Sequence, residues 1–416
     1  MRSVPILIIG GGAAGMMAAA SVLETGGRVM IIEKMNQLGK KLLATGNGRC
    51  NYTNLNQKAK YYHVKESDEV WKLLKRFDEK KTISFFKEIG IYPVERDGYV
   101  YPMSMQALAL RNCLERKIKK AEIHLDEEVL DISENVSATG KSTGYIVKTS
   151  KDKYLAKNII FTAGGMAAKC HGSDGACFSI LRRLGHTIVT PVPALTWFKI
   201  KEKYTKLWAG VRVKARIKAY NETGDMLAED IGELQLVATG ISGIPVFQIS
   251  RYVSREIENK KKPYIEVDFL PELTYNEVYM EMIKRRDYDR ELEVSCILEG
   301  VINNKLIDAI LSMAGIKRDT LLQDILDTQC EKICSLIKCF KADICEIAGF
   351  DNAQVTSGGV KKSEIDFSNM SSKLYEGLYF AGEIVDVDGI CGGYNLQWAW
   401  SSGYIAGMSA AGGKKE

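Results

Sequence analysis

The sequence has 416 residues, of which 46% are hydrophobic and 26% charged, a composition typical of a globular protein with two or three domains. The formal net charge of +5 is small for this length, so we expect no nucleic-acid partner and no anionic-membrane partner. The apolar run after Arg2 is too short for a secretory signal or a membrane-spanning helix, which predicts a cytoplasmic protein.

The first apolar run, residues 4–9, ends at a glycine turn, and a helix-forming stretch follows it. The turn has the pattern Gly10-x-Gly12-x-x-Gly15, in which the first glycine permits a tight turn and the second lets the backbone approach a pyrophosphate. The third lets the helix pack closely on the strand. A second apolar run, residues 28–32, ends in Glu33, which is placed to accept hydrogen bonds from a ribose. The pattern predicts an adenine dinucleotide, either FAD or NAD.

The next segments alternate between polar loops and periodic apolar stretches. A basic, amide-rich loop over residues 39–51 has almost no apolar periodicity, whereas the spacing over residues 68–90 predicts a helix. Asp97-Gly98 predicts a hairpin turn, and a helix is expected over 104–120. Short strands are then expected, and the last of them, over 158–162, runs into small residues that would let the backbone approach a ligand.

The second half of the chain changes character twice. Residues 196–270 show alternating strands and turn signals, whereas residues 275–347 are charged and predicted to be helical. The C-terminal part returns to short apolar runs that end on glycine, and Gly392-Gly393 precedes a helix predicted over 395–409. The ten cysteines lack the paired spacings of a zinc site, so no metal site is predicted.

Glycine-rich strand ends at both ends of the chain resemble those of two-domain flavoproteins of the glutathione reductase class. Only a long, extended cofactor needs strand ends from both regions, which favours FAD over NAD. The expected fold is α/β, with a Rossmann-like FAD-binding domain built from residues 1–190 and 355–416. A β-barrel-like subdomain over 191–272 and a helical subdomain over 273–354 are expected as insertions.

Four motifs narrow the resemblance to the BaiN/YhiN-like NAD(P)/FAD-dependent oxidoreductases, and they span essentially the whole chain. The motifs are Gly39-Lys40-Lys41, Ala44-Thr45-Gly46-Asn47-Gly48-Arg49-Cys50-Asn51, Gly240-Ile241-Ser242-Gly243, and Gly382-Glu383 with Gly392-Gly393-Tyr394-Asn395. The resemblance implies that FAD binds along the top of the Rossmann sheet. It also implies NADH or NADPH as the electron donor.

The resemblance assigns a set of residues to FAD. For the pyrophosphate these are Gly10, Gly12, Ala13, Ala14 and Gly15; for the adenosine end Glu33, with its neighbour Lys34, and Val129; beside the ribityl chain and flavin Lys40, Thr45, Gly46, Asn47, Gly48, Arg49, Cys50 and Asn51; and at the later strand ends and last helix Thr162, Ala163, Gly164, Gly382, Glu383, Gly393, Asn395 and Leu396.

The favoured function is NAD(P)H-dependent reduction of an activated carbon–carbon double bond by hydride transfer from the flavin N5 atom. The family includes an enzyme that reduces the A and B rings of 3-oxo bile acids, so the expected substrate is a flat apolar molecule of the 3-oxo-4-ene or 4,6-diene type. Trp197, Phe198 and Trp208 are candidates for lining its pocket, although aromatic residues of this kind more often belong to the core. Tyr394 is the candidate proton donor, because the resemblance places it beside the flavin.

Two other functions stay open. Some relatives oxidise a small amine such as aminoacetone and release peroxide, and the lack of a second G-x-G-x-x-G motif for a nicotinamide domain mildly supports that alternative. A flavin-dependent tRNA-modifying protein would instead need lysine and arginine clustered on one face. The charged helical segment is the candidate, but acidic residues interrupt it throughout. The oligomeric state is not predicted.

Overall fold

The computed structural model describes residues 1–137 and 142–413, and the chain divides into two compact units. The first unit is Met1–Pro191 with Val355–Glu416, and the second is Val192–Gln354. The predicted fold class, a Rossmann-type domain with a β-barrel and helices inserted, is confirmed. The predicted further division of the insertion at residue 272 stays a prediction.

The elements are numbered along the chain. Before the second unit, the strands are β1 (Arg2–Ile9), β2 (Met30–Ile32), β3 (Thr53–Asn54), β4 (Pro93–Arg96), β5 (Tyr99–Pro102), β6 (Glu122–His124), β7 (Val129–Val136), β8 (Ser142–Thr149), β9 (Lys153–Phe161) and β10 (Ile188–Ala194). The helices there are α1 (Ala13–Glu24), α2 (Lys40–Ala44), α3 (Glu69–Arg76), α4 (Glu79–Glu88), α5 (Ala107–Lys117) and α6 (Ala176–Arg183).

The remaining elements belong to the second unit and to the C-terminal part of the first. Those of the second unit are β11 (Phe198–Ile200), β12 (Arg212–Tyr220), β13 (Met226–Val237), β14 (Gly240–Gly243), α7 (Ile244–Glu258), β15 (Tyr264–Asp268), α8 (Tyr275–Tyr288), α9 (Val294–Glu299), α10 (Asn304–Ala314), α11 (Asp327–Lys338) and β16 (Phe340–Ile347). The C-terminal elements are β17 (Val355–Val360), β18 (Ile365–Asp366), β19 (Ser371–Ser372), β20 (Leu378–Phe380) and α12 (Tyr394–Ala410).

The first unit is built on a sheet whose central strands are parallel. Strands β20, β9, β1, β2 and β6 follow one another in that order, and β7 and β8 extend from β9 in antiparallel fashion. Ile9 lies opposite both Ile32 and Phe161, and Phe161 lies opposite Phe380. The carboxyl ends of four strands therefore meet at one edge of the sheet, where open α/β sheets bind their ligands.

Helix α12 brings the C-terminal part of the chain against α1. A Cβ atom added to Gly403 would lie 2.5 Å from the carbonyl oxygen of Ala14, and one added to Gly407 would lie 2.3 Å from that of Ala18. The two helices pack this closely because α12 has no side chain at these two positions. The hydrophobic core of the unit includes residues of both helices.

The second unit contains a closed barrel of β11, β14, β13, β12, β15 and β16. The predicted helical stretch over 275–347 is wrong for its last part, because β16 pairs with both β15 and β11 and closes the barrel. The buried side chains of Phe340, Ala342 and Ile344 alternate with exposed neighbours, which is the period of a strand. The barrel and the helices of this unit share one hydrophobic core.

The helix predicted over 68–90 is interrupted, whereas the predicted hairpin is confirmed. Asp78 accepts hydrogen bonds from the backbone N–H groups of Lys80 and Lys81 and so begins α4 as its N-cap. A side-chain cap inside a periodic stretch divides it into α3 and α4. Strands β4 and β5 pair around Asp97-Gly98, as predicted.

The contact between α1 and α12 gives a stability prediction. We expect Gly403→Ala to lower the free energy of unfolding by about 1–3 kcal/mol, because the added methyl group would overlap the carbonyl oxygen of Ala14. Ser409→Ala on the same helix should change it by less than about 0.5 kcal/mol. Chemical denaturation measures both. Equal stability of the two variants would contradict the described packing.

Candidate functional site

Residues that follow the parallel strands meet at the carboxyl edge of the sheet. The N–H of Gly10 donates to the carbonyl of Ile32 (2.8 Å), and the N–H of Thr162 donates to that of Ile9 (2.9 Å). The hydroxyl of Thr162 also donates to the carbonyl of Gly10 (2.7 Å). The turns after β1 and β9, both predicted to hold the cofactor, are thus joined directly.

The three glycines of the Gly10-x-Gly12-x-x-Gly15 pattern, the glycine fingerprint, have different surroundings. Gly10 has φ of 101°, and a Cβ atom there would lie 2.8 Å from the Cα of Ala163. A Cβ atom on Gly15 would lie 2.0 Å from the carbonyl oxygen of Gly10, so this glycine lets the helix pack against the turn. A Cβ atom on Gly12 would meet nothing within 4 Å. Gly12 therefore faces the open space that a pyrophosphate would need.

A cleft opens at this edge of the sheet. Its walls come from the ends of β1, β2 and β9, the start of β7, and the segment before α6. The lining residues are Ile9, Gly10, Ile32, Glu33, Lys34, Glu127, Glu128, Val129, Ala163, Gly164, Gly172, Asp174, Gly175, Ala176 and Cys177. Six of these were predicted to bind the cofactor: Gly10, Glu33, Lys34, Val129, Ala163 and Gly164.

Glu33 is fixed by backbone groups on both of its oxygens. Its Oε2 accepts from the N–H of Gly11 (2.7 Å), and its Oε1 accepts from the N–H of Met35 (2.8 Å). Burial raises the pKa of the Glu33 carboxyl, and these N–H groups partly oppose that rise. A carboxylate has about four acceptor positions. Acceptor capacity therefore remains for a ribose hydroxyl, the role predicted for Glu33.

One wall of the cleft is supported by a network of buried polar groups. Glu127 is almost fully buried and accepts hydrogen bonds from the hydroxyls of Tyr154 (3.0 Å) and Thr149. The imidazole of His124 bridges Glu127 (3.0 Å) and Glu122 (2.7 Å). Burial lowers the pKa of His124, but the two carboxylates outweigh it and hold that pKa above 6.5. Burial alone would raise the pKa of the Glu127 carboxyl. The hydrogen bonds that Glu127 accepts outweigh this effect and hold its pKa below 4.5.

The opposite wall is tied to β2 by an ion pair. The ammonium group of Lys34 lies 2.5 Å from Oδ1 of Asp174. Burial raises the pKa of Asp174, but Lys34 and the N–H of Ala176 outweigh it and hold that pKa below its usual value. Lys34, predicted to bind the cofactor, is thus also a connection across the cleft. The buried Oγ of Ser173, beside Gly164, has no hydrogen-bond partner among the described residues.

The loop predicted to lie beside the flavin has an unusual backbone. Gly46, Asn47, Gly48 and Cys50 all have positive φ, between 52° and 80°. Such angles are strained for asparagine and cysteine and tend to persist at ligand sites. The Cys50 thiol is fully buried, and burial raises its pKa to about 12, so it stays protonated at neutral pH.

Glu383, which follows β20, joins three separate parts of the sequence. Its Oε1 accepts from the N–H of Thr356 (2.9 Å), and its Oε2 accepts from the ammonium group of Lys41 (2.7 Å). The prediction named Lys40 rather than Lys41. Both lie in the same lysine pair, and the assignment of Lys40 to the cofactor stays a prediction. Gly382 lies close to the first turn of α1, since a Cβ atom on it would lie 2.8 Å from the Cβ atom of Ala14.

The loop after Cys50 lies against the start of α12. A Cβ atom on Gly393 would lie 2.9 Å from Oδ1 of Asn51, and this buried oxygen has no hydrogen-bond partner in the described part of the chain. Asn395 both accepts from the N–H of Gly389 and donates to its carbonyl, each at 2.8 Å. Leu396 is half-buried and packs against the core. Asn51 and Gly393 are thus adjacent, as their shared assignment to FAD requires.

Some predicted residues have surroundings that differ from the expected role. The hydroxyl of Tyr394, the candidate proton donor, donates to the carbonyl of Asn56 (2.9 Å), and its ring packs on Tyr61 and Tyr62. Burial raises its pKa further above 10. These contacts are structural. Phe198 and Trp208 lie fully buried in the core of the second unit, so they belong to the core, the alternative to a pocket lining.

Several site residues were not predicted from the sequence. Glu127 and Glu128 gave no signal, because carboxylates before a strand are common. Ser173 and Asp174 were predicted only as possible helix N-caps, but Gly175 is the N-cap of α6. Among the described residues, no group of three or more His, Cys, Asp or Glu side chains is arranged to hold a metal ion. None of the helices there has the length and apolarity needed to cross a bilayer.

Comparisons with known proteins agree with this arrangement. Residues 4–409 match the family described as HI0933-like protein Rossmann domain. The chain is 38% identical over 406 residues to the 3-dehydro-bile acid delta(4,6)-reductase of Clostridium scindens, covering 97% of this chain and 98% of that protein. It is also 28% identical over 413 residues to the ribosomal RNA dihydrouridine synthase of Haemophilus influenzae, and 97% of each chain is covered. The corresponding Escherichia coli protein is 26% identical over 410 residues, with 97% of each chain covered.

The sheet edge, the glycine fingerprint and these relatives define the chain as an FAD-dependent oxidoreductase. It belongs to the HI0933-like Rossmann family, and the resemblance predicted from its motifs is confirmed. The residues present fit FAD, because the space beside Gly12 is open and the buried polar atoms of Ser173 and Asn51 lack partners. These two atoms lie near the predicted adenosine and flavin ends, respectively.

Gly12 and Gly15, at the start of α1, give a matched pair of variants. We expect Gly12→Ala to leave the unfolding free energy of the FAD-free protein nearly unchanged but to weaken FAD binding about tenfold or more, roughly 1.4 kcal/mol. Gly15→Ala should lower the unfolding free energy by about 1–3 kcal/mol, because its methyl group would overlap the backbone. Flavin fluorescence titration and thermal unfolding measure the two effects. Unchanged FAD affinity in Gly12→Ala would contradict the pyrophosphate assignment.

The His124 network gives a pH-dependent prediction. A raised His124 pKa stabilises the fold below about pH 6.5 and loses this effect as pH rises through the folded value. The lowered Glu127 pKa stabilises it above about pH 4.5 and loses its effect as pH falls. His124→Gln should therefore destabilise the protein most, by about 1 kcal/mol, between these values. Denaturation across the pH range, with His171→Gln as control, tests this; a pH-independent difference would contradict it.

Proposed function

We propose that this protein reduces a carbon–carbon double bond conjugated to a ketone, in a flat apolar substrate of the 3-oxo-4-ene or 4,6-diene steroid or bile-acid type. The observation that carries the proposal is the 38% identity, over nearly the full length of both chains, to a bile acid reductase. FAD supplies a hydride when bound and reduced. NADH or NADPH is the electron donor, and the reaction takes place in the cytoplasm, where these donors are available.

The cofactor assignments follow the sheet edge. The first turn of α1, from Gly12, receives the pyrophosphate, and Glu33 receives the ribose hydroxyls. Asn51, Gly393 and the start of α12 hold the flavin end. Helix α12 has seventeen residues, so its N-terminus carries a positive dipole end that stabilises a reduced, anionic flavin. The paired groups Lys41 and Glu383 lie between these two regions in this assignment.

Reduction of uridine in ribosomal RNA is the second candidate, supported by the two dihydrouridine synthases at 28% and 26% identity. Formation of dihydrouridine also saturates a carbon–carbon bond conjugated to a carbonyl group, so the two candidates share their chemistry. Three exposed cations on the barrel strands are paired with carboxylates, which gives some support to the small molecule. Such pairs are Lys199–Glu346, Arg212–Glu233 and Lys214–Glu272, at 2.6, 3.1 and 2.7 Å. Paired cations contribute less to phosphate binding.

The substrate class is tested anaerobically with the purified FAD-loaded protein. We expect a 3-oxo-4-ene steroid to stimulate oxidation of NADH or NADPH and to yield the saturated ketone. The matching 3-hydroxy-4-ene steroid should give no stimulation, because its double bond lacks the carbonyl group that accepts the developing charge. Product mass and donor absorbance measure both.

Each alternative has its own outcome in the same assay. Conversion of uridine in a ribosomal RNA fragment, with no reaction of the steroid, would overturn the small-molecule proposal in favour of RNA. Peroxide release on addition of aminoacetone under air, again without steroid reduction, would favour the amine oxidase. Equal stimulation by the conjugated and unconjugated steroids would contradict reduction of a conjugated bond.

A further inference from the structure

Two segments on either side of the predicted flavin end lie against each other over several residues. The side-chain amide of Asn54 donates to the carbonyl of Gly392 (3.0 Å), and the N–H of Ile390 donates to the carbonyl of Tyr61 (2.9 Å). The segment from Asn54 to Tyr61 therefore runs alongside the segment that contains Ile390 and Gly392. At the far end of this contact, His63 meets Asp388.

His63 and Asp388 form an ion pair in unusual surroundings. Nε2 of His63 lies 3.8 Å from Oδ2 of Asp388, and the side chain of Asp388 is 3% exposed against 14% for His63. A carboxylate this deeply buried is stable only with compensating partners. The backbone of His63 has φ of 56°, a strained angle for this residue that the surrounding structure must hold. The arrangement presents a partly accessible imidazole backed by a buried carboxylate.

The backbone beside Asp388 is also fixed. Asn395, in the first turn of α12, forms two hydrogen bonds to Gly389, the next residue after Asp388. The same turn follows Gly393, which lies against Asn51. The ion pair therefore belongs to the cluster of loops at the N-terminus of α12.

We propose that His63, oriented by Asp388, is the proton donor of the conjugated reduction. This inference rests on the proposed function. The carbon β to the carbonyl receives a hydride from the reduced flavin, and the carbon α to it receives the proton from the imidazolium of His63. The carbon–carbon π bond breaks and two C–H bonds form, while FADH⁻ becomes FAD and the imidazolium becomes imidazole. Water then reprotonates the imidazole.

The titratable side chains in the segments beside the pair include two tyrosines and two lysines. Burial raises the pKa values of Tyr62 and Tyr394 above their usual range, so both phenols are neutral at pH 7. The side chain of Asp388 lies beside the imidazole, with its Oδ2 3.8 Å from Nε2 of His63. Two cations of the preceding segment, Lys58 and Lys60, lie over the ring of Tyr61, at 5.9 and 5.7 Å from its centroid. A carboxylate partner stabilises the imidazolium form.

His63 fits the role better than Tyr394 does. The hydroxyl of Tyr394 already donates to the carbonyl of Asn56, and its side chain is 4% exposed. A proton donor must reach the substrate at the moment of reaction. A partly exposed imidazole meets that condition, whereas a phenol bonded to the backbone in the protein interior does not.

The test uses the FAD-loaded protein and the variants His63→Gln and Asp388→Asn, with His171→Gln as control. Reduction of the flavin by NADH or NADPH should be unchanged in all three variants. Oxidation of the reduced flavin by the 3-oxo-4-ene steroid should slow about 100-fold or more in His63→Gln. It should also lose the decline with rising pH that titration of the imidazolium produces in the wild type.

A second readout does not depend on turnover. The chain has four histidines, so NMR titration of their ring protons resolves His63 by comparison with the His63→Gln spectrum. Asp388→Asn should lower the pKa of His63, whereas His171→Gln should not. An unchanged His63 pKa in Asp388→Asn would overturn the assigned role of the carboxylate.

The outcomes separate this inference from the proposed function. If no conjugated ketone oxidises the reduced wild-type flavin, the proposed function is overturned and the inference with it. If the wild type reacts and His63→Gln reacts equally fast, only the inference is overturned. If His63→Gln loses FAD affinity and thermal stability, and both half-reactions slow equally, the ion pair is structural and the inference is again overturned.

Discussion

The alignment of the parallel strands at one edge of the central sheet is the constraint on which the rest of the site depends. Ile9 lies opposite Ile32 and Phe161, so the residues that follow three strands emerge side by side. A slip of one residue in this register would turn every side chain to the opposite face. The close approaches of Gly10 and Gly15 then shape the turn that joins β1 to α1.

The second requirement is that the two ends of the chain meet. Helix α12 packs on α1 through Gly403 and Gly407, and the strand end at Gly382 lies against Ala14 of the same helix α1. Contacts such as Lys41 with Glu383 then join residues more than 300 positions apart. A cofactor that spans this edge would link them further, which explains why glycine-rich motifs occur at both ends of the sequence.

Much of the fold and part of the site followed from the sequence, where the signal was local. The glycine fingerprint, the acid at the end of β2 and the glycine-ended strands each need particular residue types. Strand β16 was missed because its eight residues follow long helices, and its pairing with β11 is set by tertiary contacts. The contacts of Lys41 with Glu383 and of His63 with Asp388, and the position of Ser173 beside Gly164, were missed because only the folded chain brings these residues together.

The most direct test of the account is a crystal structure of the protein purified with its own flavin. The account predicts FAD extended along the carboxyl edge of the sheet. Its pyrophosphate should lie within hydrogen-bond distance of the first-turn N–H groups of α1, and its flavin should lie beside Asn51 and Gly393. A dinucleotide bound elsewhere, or one whose phosphates do not approach Gly12, would contradict the account.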